Sequence, residues 1–400
     1  MKKIIFLLLF FNCLVSVCHA NDNEMPIIAY YGVTEQHTSE ETFRTFRDCG
    51  FTASLFPYSS LESLIKACNT AEPLGIKIIG CCPELWTSPV RTALALKEKK
   101  GFWGYLIQDE PTLPEIKEKQ ALISKLKRSD STHLFYINLL PYSDPEKSLQ
   151  GIKANSYQEY LQAFTASSCQ QISFDFYPVT TKGIRPTWYH NLEMIRQESL
   201  RSGKPFWGFA LSMPHDVPYT PNTYYPTPSL ASLRLQVYAN LAYGAQAIQY
   251  FTYWTPEDSQ GFHFHDAPIS RDGKKTKTYS VVQKMNRELK VIARLFYGAK
   301  ILSVHHLGGT LPEGTTKLTQ APLNLSSLKV VSKKGVIVSQ LEKNDHHYLA
   351  IVNKDHANSI KVYVKPLNKT ARHLTKSLEE EKMKDAYTVT AGDILLFRLK

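Results

Sequence analysis

The sequence lacks the signals of several protein classes. Beyond its first 20 residues, no run approaches the roughly 20 apolar residues that a membrane-spanning helix needs. The turn after the first apolar run of the mature chain, YYGVTEQHTSEE, contains neither GxGxxG nor GxxxxGK[ST]. The 47 Lys and Arg residues are scattered, with no basic stripe interleaved with aromatic residues, although the formal net charge is +11. We therefore expect no membrane span and no nucleic-acid partner, whereas an acidic or sulfated glycan remains open.

Cysteine is scarce and irregularly spaced. Two of the seven cysteines lie in the N-terminal 20 residues. An odd remainder without regular spacing is not a disulfide framework, and no CxxC pair occurs. We predict buried core cysteines with at most one disulfide among those that remain, which are Cys49, Cys68, Cys81, Cys82 and Cys169.

The N-terminal segment 1–20, MKKIIFLLLFFNCLVSVCHA, has two lysines, an apolar stretch and an end rich in small residues. This pattern predicts a secretory signal peptide cleaved after Ala20. Lipid attachment at Cys18 is an alternative, although residues 15–17 form a poor lipobox. We expect an exported, periplasmic or extracellular protein whose formal charge falls from +11 to +9 with the two lysines removed.

Short apolar, β-branched or aromatic runs recur along the next 230 residues, each followed by a turn and a helix-like stretch. Eight such βα units predict a (β/α)8 barrel over residues 21–298, with an open doubly wound sheet as the alternative. The predicted strands are 26–33, 51–58, 77–82, 102–111, 133–141, 171–179, 204–213 and 247–256.

The pattern changes after a predicted helix at 278–296. Residues 299–400 alternate apolar and polar positions in short segments separated by turn signals. This predicts a C-terminal antiparallel β-sandwich, either as a rigid accessory domain or as a carbohydrate-binding one.

Barrel active sites lie where the strands end. The predicted strand ends carry carboxylates, Tyr, Trp, Asn and His, which suit a sugar site, because carboxyl pairs cleave glycosidic bonds and aromatic rings stack on sugars. We predict Glu110, Asp109 and Asp175 as catalytic residues. The predicted substrate-binding residues are Tyr177, Trp254, Tyr253, Asn138, His215, Tyr31, Trp207 and His265.

The stretch GYLIQDEP, residues 104–111, places two acids at the end of an apolar run. Apolar surroundings raise the pKa of a carboxyl toward that of a general acid, the role we predict for Glu110. A capping role for Asp109 is the alternative. Against it, Thr112 and Glu115 form a better capping box for the next helix.

These motifs resemble known enzymes. GYLIQDEP, FDFYP (174–178) and QYFTYWTP (249–256) resemble the barrel glycoside hydrolases whose fourth strand carries an acid/base Glu. Segments 243–254 and 267–290 are similar to the barrel end of family 42-type β-galactosidase relatives. The resemblance covers residues 26–295 and implies that Glu110 is the acid/base. It also implies a nucleophilic Glu after the seventh strand, where KPFWGFALSMPHD has none.

Three explanations of this gap remain open. The pair Asp109–Glu110 is similar to that of hexosaminidase-type and family 123 enzymes, which implies a substrate 2-acetamido group as nucleophile, oriented by the Asp. Alternatively, the second carboxylate is Asp175, Glu257 or Asp258. The third explanation is a non-catalytic carbohydrate-binding barrel.

A metal-dependent hydrolase is a separate alternative. His263 and His265 form an HxH pair, which Asp266 and His215 could join as ligands, but no HExxH motif supports it. We predict a glycosidase without metal or cofactor, acting on an oligo- or polysaccharide.

Overall fold

The computed structural model describes residues 24–216, 223–259 and 261–399, so the predicted signal peptide, including Cys18, lies outside the described residues. Eight parallel strands close into a barrel in which each strand pairs with its neighbours in the sequence and the eighth pairs with the first. This confirms the predicted (β/α)8 barrel rather than an open sheet. The strands are β1 (Ile27–Tyr30), β2 (Ala53–Pro57), β3 (Lys77–Cys81), β4 (Phe102–Asp109), β5 (Leu134–Leu139), β6 (Ile172–Phe174), β7 (Phe206–Leu211) and β8 (Ala247–Phe251).

Helices surround the barrel and pack their apolar faces on the outward-pointing strand residues. Several begin at a Ser, Thr or Asp whose side chain accepts a backbone N–H, which is the local reason that they start there. The α-helices are Glu40–Asp48, Leu61–Ala71, Glu84–Thr87, Pro89–Leu96, Leu113–Ser129, Pro145–Ile152, Tyr157–Thr165, Trp188–Ser202, Leu230–Tyr243 and Lys277–Phe296, and Glu35–His37 and Glu72–Leu74 are 3-10 turns. Within the described ranges, no helix combines the length and the apolar character needed to cross a bilayer.

The barrel interior is filled by side chains. Alternate strand residues point inward. Trp103 and Trp207 stack with ring centroids 5.3 Å apart in an apolar interior cluster. A buried polar layer of Tyr136, Ser173 and Gln249 is joined by hydrogen bonds across the barrel. The barrel is therefore a packed core that offers a site only at its mouth.

Two antiparallel sheets follow the last barrel helix and enclose a second apolar core, which confirms the predicted β-sandwich. The boundary predicted near 298 stays a prediction, although helix Lys277–Phe296 ends just before it. The larger sheet contains Lys300–Leu307, Val336–Lys343, His346–Asn353, Ile394–Arg398, Arg372–Leu374 and Glu380–Lys382; the smaller contains Leu325–Val331, Ile360–Pro366 and Ala386–Val389.

Helix Leu230–Tyr243 lies between the barrel and the larger sheet. Eleven of its 14 residues are buried, on all sides of the helix, as expected for a helix covered on two faces. On the side of the larger sheet, Leu341, Ala350 and Val352 belong to the same apolar cluster as the barrel helices. The barrel and the larger sheet thus share a core.

All five described cysteines are free. Four are buried and Cys81 is partly buried, as predicted for core cysteines. Burial raises the pKa of the Cys81 thiol to about 11 and that of the Cys82 thiol to about 12, so both thiols stay protonated at neutral pH.

The shared core yields a stability prediction. We expect Leu341→Ala, at a fully buried position of the larger sheet, to destabilise the barrel by about 2–5 kcal/mol. Denaturant unfolding followed by tryptophan fluorescence measures this, because every Trp lies in the barrel region: Trp86, Trp103, Trp188, Trp207 and Trp254.

Val331→Ala is the matched control, since Val331 lies in the smaller sheet and is 65% exposed. This control should leave the fluorescence midpoint unchanged. A midpoint equally unaffected by Leu341→Ala would show that the barrel unfolds independently of the sandwich.

Candidate active site

The local backbone presents Asp109 and Glu110 at the barrel mouth. Asp109 is the last residue of β4, and Glu110 follows with a φ of +42°, which is uncommon for a residue other than glycine. The Glu110 N–H donates to the carbonyl of Asn138 on β5 at 2.8 Å, which fixes this turn. The next helix is capped by Thr112 and Glu115, whose reciprocal side-chain bonds form a capping box. Asp109 is therefore not needed as a helix cap.

Asn138 joins two of the predicted catalytic carboxylates. Its Nδ2 donates to Asp109 Oδ1 at 3.1 Å and to Asp175 Oδ1 at 2.9 Å. Its own Oδ1 accepts from Ser173 Oγ at 2.9 Å, so the amide orientation is set from below. Asn138 is 2% exposed, and this bridge therefore sits at the floor of the mouth.

The polar layer beneath the site holds this bridge in place. Gln249 Nε2 donates to Ser173 Oγ at 2.8 Å, and Tyr136 Oη donates to Gln249 Oε1 at 2.6 Å. Ser173, Tyr136 and Gln249 are fully buried. Because their rotamers are locked by packing and hydrogen bonds, the carboxylates above them have little freedom to reorient.

Glu110 completes a group of three carboxyls. Its carboxyl interacts with that of Asp175, and Tyr177 and Tyr30 interact with Asp175 and Asp109, respectively. Asp109 and Glu110 remain accessible to solvent, and Asp175 is partly accessible. The structure thus brings together the three predicted catalytic residues at the barrel mouth, where solvent reaches Asp109 and Glu110. We call Asp109, Glu110 and Asp175 the carboxyl triad.

The surroundings make the triad reluctant to ionise. Desolvation and the neighbouring charges of Asp175 and Asp109 raise the pKa of Glu110 to about 9. Desolvation and the charge of Asp109 raise the pKa of Asp175 to about 7. Desolvation also raises the pKa of Asp109, although hydrogen bonds from Asn138 and Tyr30 oppose this rise. At neutral pH, Glu110 is therefore the protonated member.

An aromatic wall stands beside the triad. Tyr177 stacks on Phe251 with centroids 5.4 Å apart, and the His215 ring lies 4.6 Å from Tyr225 and 5.4 Å from Phe264. Burial lowers the pKa of His215 to about 4, so this imidazole is neutral. Its Nδ1 is buried without a hydrogen-bond partner. The predicted residues Tyr177 and His215 thus contribute to one wall of the mouth.

Two of the predicted sugar-binding residues are held away from the mouth. Tyr253 is fully buried against Phe46 and Phe51, on the helix side of the barrel wall. Trp207 lies deeper in the barrel interior, stacked on Trp103. Inward and outward positions alternate along a strand, which places these two rings in the core.

Three other predicted residues lie on the loops around the mouth. Trp254 is 4% exposed, and its ring lies tilted against that of His37 with centroids 4.4 Å apart. Tyr31 packs on Phe56, and its backbone carbonyl accepts from the Trp254 N–H. His265 is exposed and pairs with Asp266. The structure does not bring these side chains into contact with the triad.

The two histidines of the HxH motif contact different carboxylates. His263 Nδ1 lies 3.2 Å from Asp258, whereas His265 Nδ1 lies 3.0 Å from Asp266. In the part of the chain that the structure describes, no group of three His, Cys, Asp or Glu side chains is arranged to hold a metal ion.

The end of β7 is apolar where the resemblance implied a nucleophilic Glu. Ser212 and Met213 follow this strand and are fully buried, and Ser212 Oγ donates to the Thr252 carbonyl. Asp216 lies further along, in a two-residue strand that pairs with Tyr224–Tyr225. Among the described residues, the carboxyl triad is thus built from β4 and β6 without β7.

Sequence reasoning missed Tyr30, Gln249 and Phe251. The alternation of inward and outward side chains along a strand could have identified each of them. Tyr30 precedes Tyr31 and points inward, and Gln249 and Phe251 share the inward face of β8. The sequence motif drew attention to the residues just after each strand instead.

The raised pKa of Glu110 gives a stability prediction. The folded state binds this proton up to about pH 9, whereas an unfolded Glu releases it near its ordinary pKa of 4.5. Stability contributed by the protonated form is therefore present at low pH and is lost as the pH rises toward 9. We expect Glu110→Gln to raise the Tm relative to wild type, and by more at pH 8 than at pH 5, in thermal unfolding scans.

Glu118→Gln is a suitable control, because the Glu118 side chain is 74% exposed on an outer helix. Its Tm difference from wild type should not vary with pH. A Glu110→Gln difference that is flat from pH 5 to pH 8 would mean that Glu110 ionises as an ordinary carboxyl.

Comparisons with known proteins agree with this architecture. Residues 137–292 match the family model described as β-galactosidase of glycoside hydrolase family 42. The match begins in β5 and ends in the last barrel helix, so it includes Asn138, Asp175 and His215 but not Asp109 or Glu110. No curated protein matches the sequence.

Solved β-galactosidase structures share the fold at low identity. The enzyme from Bacillus circulans sp. alkalophilus has a TM-score of 0.65 at 10% identity, covering 95% of this chain and 100% of that one. A catalytic mutant of a family 42 β-galactosidase from G. stearothermophilus has a TM-score of 0.61 at 9% identity, covering 94% of this chain and 98% of that one. The β-galactosidase from the psychrophilic Marinomonas ef1 has a TM-score of 0.56 at 10% identity, covering 94% and 100%.

These structures support the fold, and the family match indicates that the chemistry is glycoside hydrolysis. Together with the closed barrel, the match confirms the resemblance that the sequence motifs predicted. The chain is a TIM-barrel glycoside hydrolase that is similar, over residues 137–292, to the family 42 β-galactosidases.

Proposed function

We propose that the protein is an exported glycosidase that cleaves O-glycosidic bonds with Glu110 as general acid and a group of the substrate as nucleophile. The observation that carries this proposal is the carboxyl triad, in which Asn138 bridges Asp109 and Asp175, and burial and the two neighbouring charges raise the pKa of Glu110 to about 9. It provides a protonated carboxyl at neutral pH and leaves little room for a second protein group to attack the sugar.

Glu110 has the properties that a general acid requires. With a pKa of about 9 it is protonated at neutral pH, and it is accessible to a bound substrate. Its proton passes to the glycosidic oxygen as the bond to the anomeric carbon breaks. The resulting Glu110 carboxylate then accepts a proton from the water that completes hydrolysis.

The spacing of the carboxyls disfavours a protein nucleophile. Retaining glycosidases separate their two carboxyls by roughly 5–5.5 Å, so that the sugar fits between them. Glu110 and Asp175 are close enough for the charge of Asp175 to raise the pKa of Glu110, and β7 supplies no further carboxylate among the described residues. In the proposed mechanism, the carbonyl oxygen of a 2-acetamido group attacks the anomeric carbon, and Asp109 orients that group through its N–H.

The protein fixes Asp109 for this role. Asn138 and Tyr30 donate to it, and both donors favour its ionised form. An ionised Asp109 can accept the acetamido N–H and stabilise the positive charge that develops on the group. Tyr177, Phe251 and His215 provide an apolar wall for the sugar ring.

Hydrolysis of a panel of aryl glycosides tests the proposal. The panel contains matched sugars with and without a 2-acetamido group, and it includes galactosides because the family match is to β-galactosidases. We expect hydrolysis of the acetamido sugars only. Glu110→Gln should lower kcat by at least 100-fold while sugar binding is retained, and Asp109→Asn should lower it by 10-fold or more.

The outcomes separate the competing hypotheses. Cleavage of plain galactosides that is abolished by Asp175→Asn would instead identify Asp175 as the second carboxylate. If Glu110→Gln leaves any observed hydrolysis unchanged, Glu110 is not the acid. Sugar binding without hydrolysis anywhere in the panel would favour a non-catalytic carbohydrate-binding barrel.

Export is the second part of the proposal, and the composition of residues 1–20 supports it. We expect a bacterial host that expresses the full chain to export a product that begins at Asn21, as N-terminal sequencing would detect. Lipid attachment at Cys18 would instead give a membrane-bound product that incorporates labelled palmitate. Retention of Met1 in a cytoplasmic product would contradict export.

A further inference from the structure

A separate cavity of about 210 Å³ opens beside the mouth of the barrel. A hairpin after β6, formed by Val179–Thr180 and Gly183–Ile184, encloses it together with the short strand Tyr224–Tyr225 that follows β7. The Thr181 N–H donates to the Tyr224 carbonyl at 3.0 Å, which ties the two segments together. The cavity is thus built by the loops of two adjacent barrel strands.

Arg185 lines this cavity in a fixed position. Its Nη1 donates to Tyr225 Oη at 3.1 Å, and its guanidinium carbon lies 5.0 Å from the centroid of the Phe176 ring. The Arg185 N–H donates to the Pro178 carbonyl at 2.9 Å, so the backbone is also held. Phe176 and Tyr225 are both buried, which makes this a preorganised guanidinium rather than a mobile surface side chain.

The side chains that line this cavity carry positive charge. Among the residues that the structure describes, the lining contains Lys182 and Arg185 but no Asp or Glu. Among the described residues, no ion pair joins Arg185 to a carboxylate. A guanidinium presents N–H groups in a planar fork that matches carboxylate and sulfate oxygens. The arrangement therefore suits an anionic group of a ligand.

The cavity adjoins the proposed catalytic site. The Tyr225 ring, which holds Arg185, lies 5.9 Å from that of Tyr177 in an edge-to-face contact. Tyr177 in turn donates to Asp175 of the triad. Two side chains, Tyr225 and Tyr177, thus lie between the guanidinium and Asp175.

We infer that this cavity is a subsite for an anionic sugar substituent, a carboxylate or a sulfate, on the unit adjacent to the scissile bond, with Arg185 as its principal ligand. The inference rests on the proposed function, since it names the substrate class of the same site. Lys182 adds long-range attraction for the same group.

Binding to matched oligosaccharides tests the inference. Calorimetry compares wild type with Arg185→Gln and Arg185→Lys, using three hexasaccharides: neutral chitin, unsulfated chondroitin, which carries carboxylates, and chondroitin 4-sulfate, which carries carboxylates and sulfates. We expect wild type to bind at least one anionic ligand at least 10-fold more tightly than the neutral one, with an affinity that falls as salt rises. Arg185→Gln should lose most of this preference, and Arg185→Lys should restore part of it.

Arg44→Gln is the matched control, because it removes the same charge from an outer helix where Arg44 pairs with Glu40. It should leave all three affinities unchanged. Circular dichroism of each variant confirms that the fold is retained. Equal preference for both anionic ligands would identify carboxylate recognition, and preference for chondroitin 4-sulfate alone would identify sulfate recognition.

Two outcomes would overturn the inference: wild type that binds no anionic ligand more tightly than the neutral one, or Arg185→Gln that retains the anionic preference. An equal loss of affinity for all three ligands would mean that Arg185 has a structural role, in which it offsets the charge of the triad. Failure here is separable from failure of the proposed function, because Glu110-dependent hydrolysis of neutral aryl glycosides does not require the subsite.

Discussion

The site depends on the bridge that Asn138 makes between Asp109 and Asp175. Three carboxyls crowded at the mouth of an apolar barrel repel one another, and desolvation further disfavours their charges. One amide nitrogen that donates to two of these carboxylates offsets part of this cost and fixes their separation. Glu110 offsets another part by remaining protonated. Without the bridge, the repulsion between the carboxylates would favour conformations in which their side chains move apart.

The rest of the barrel serves to hold that amide. Ser173 can set the Asn138 orientation only because Gln249 and Tyr136 occupy its other side, and these side chains come from three different strands. A slip of one residue in any strand would exchange its inward and outward faces. The closed register of the barrel therefore determines the geometry of the site, and the apolar packing around the strands stabilises that register.

The sequence predicted the barrel and the position of the carboxyl triad for a simple reason. Apolar runs followed by acids mark both the strands and the ends at which their side chains meet, so Asp109, Glu110 and Asp175 could be found one strand at a time. The aromatic character of Tyr253 and Trp207 suggested the sugar site, but Tyr253 faces the helices and Trp207 points into the barrel below its mouth. Whether a ring points inward depends on the first residue of the strand, which apolar runs on both faces do not reveal. The double hydrogen bond of Asn138 joins residues 29 and 37 positions away in the sequence, and no local pattern encodes it.

The distribution of charge at the mouth limits the substrates that the site can accept. Asp175 carries negative charge above its pKa of about 7, so an anionic substrate that approached the triad directly would then be repelled. The fixed guanidinium of Arg185, held by Tyr225, adds positive charge on its side of the mouth. A substrate with its neutral sugar over the triad would avoid repulsion by the carboxylates, and its anionic neighbour would be attracted to Arg185. The opposite orientation would place the anionic group against the carboxylates. If Arg185 binds an anionic neighbour as inferred, the charges of the two loops after β6 and β7 favour one direction of chain binding.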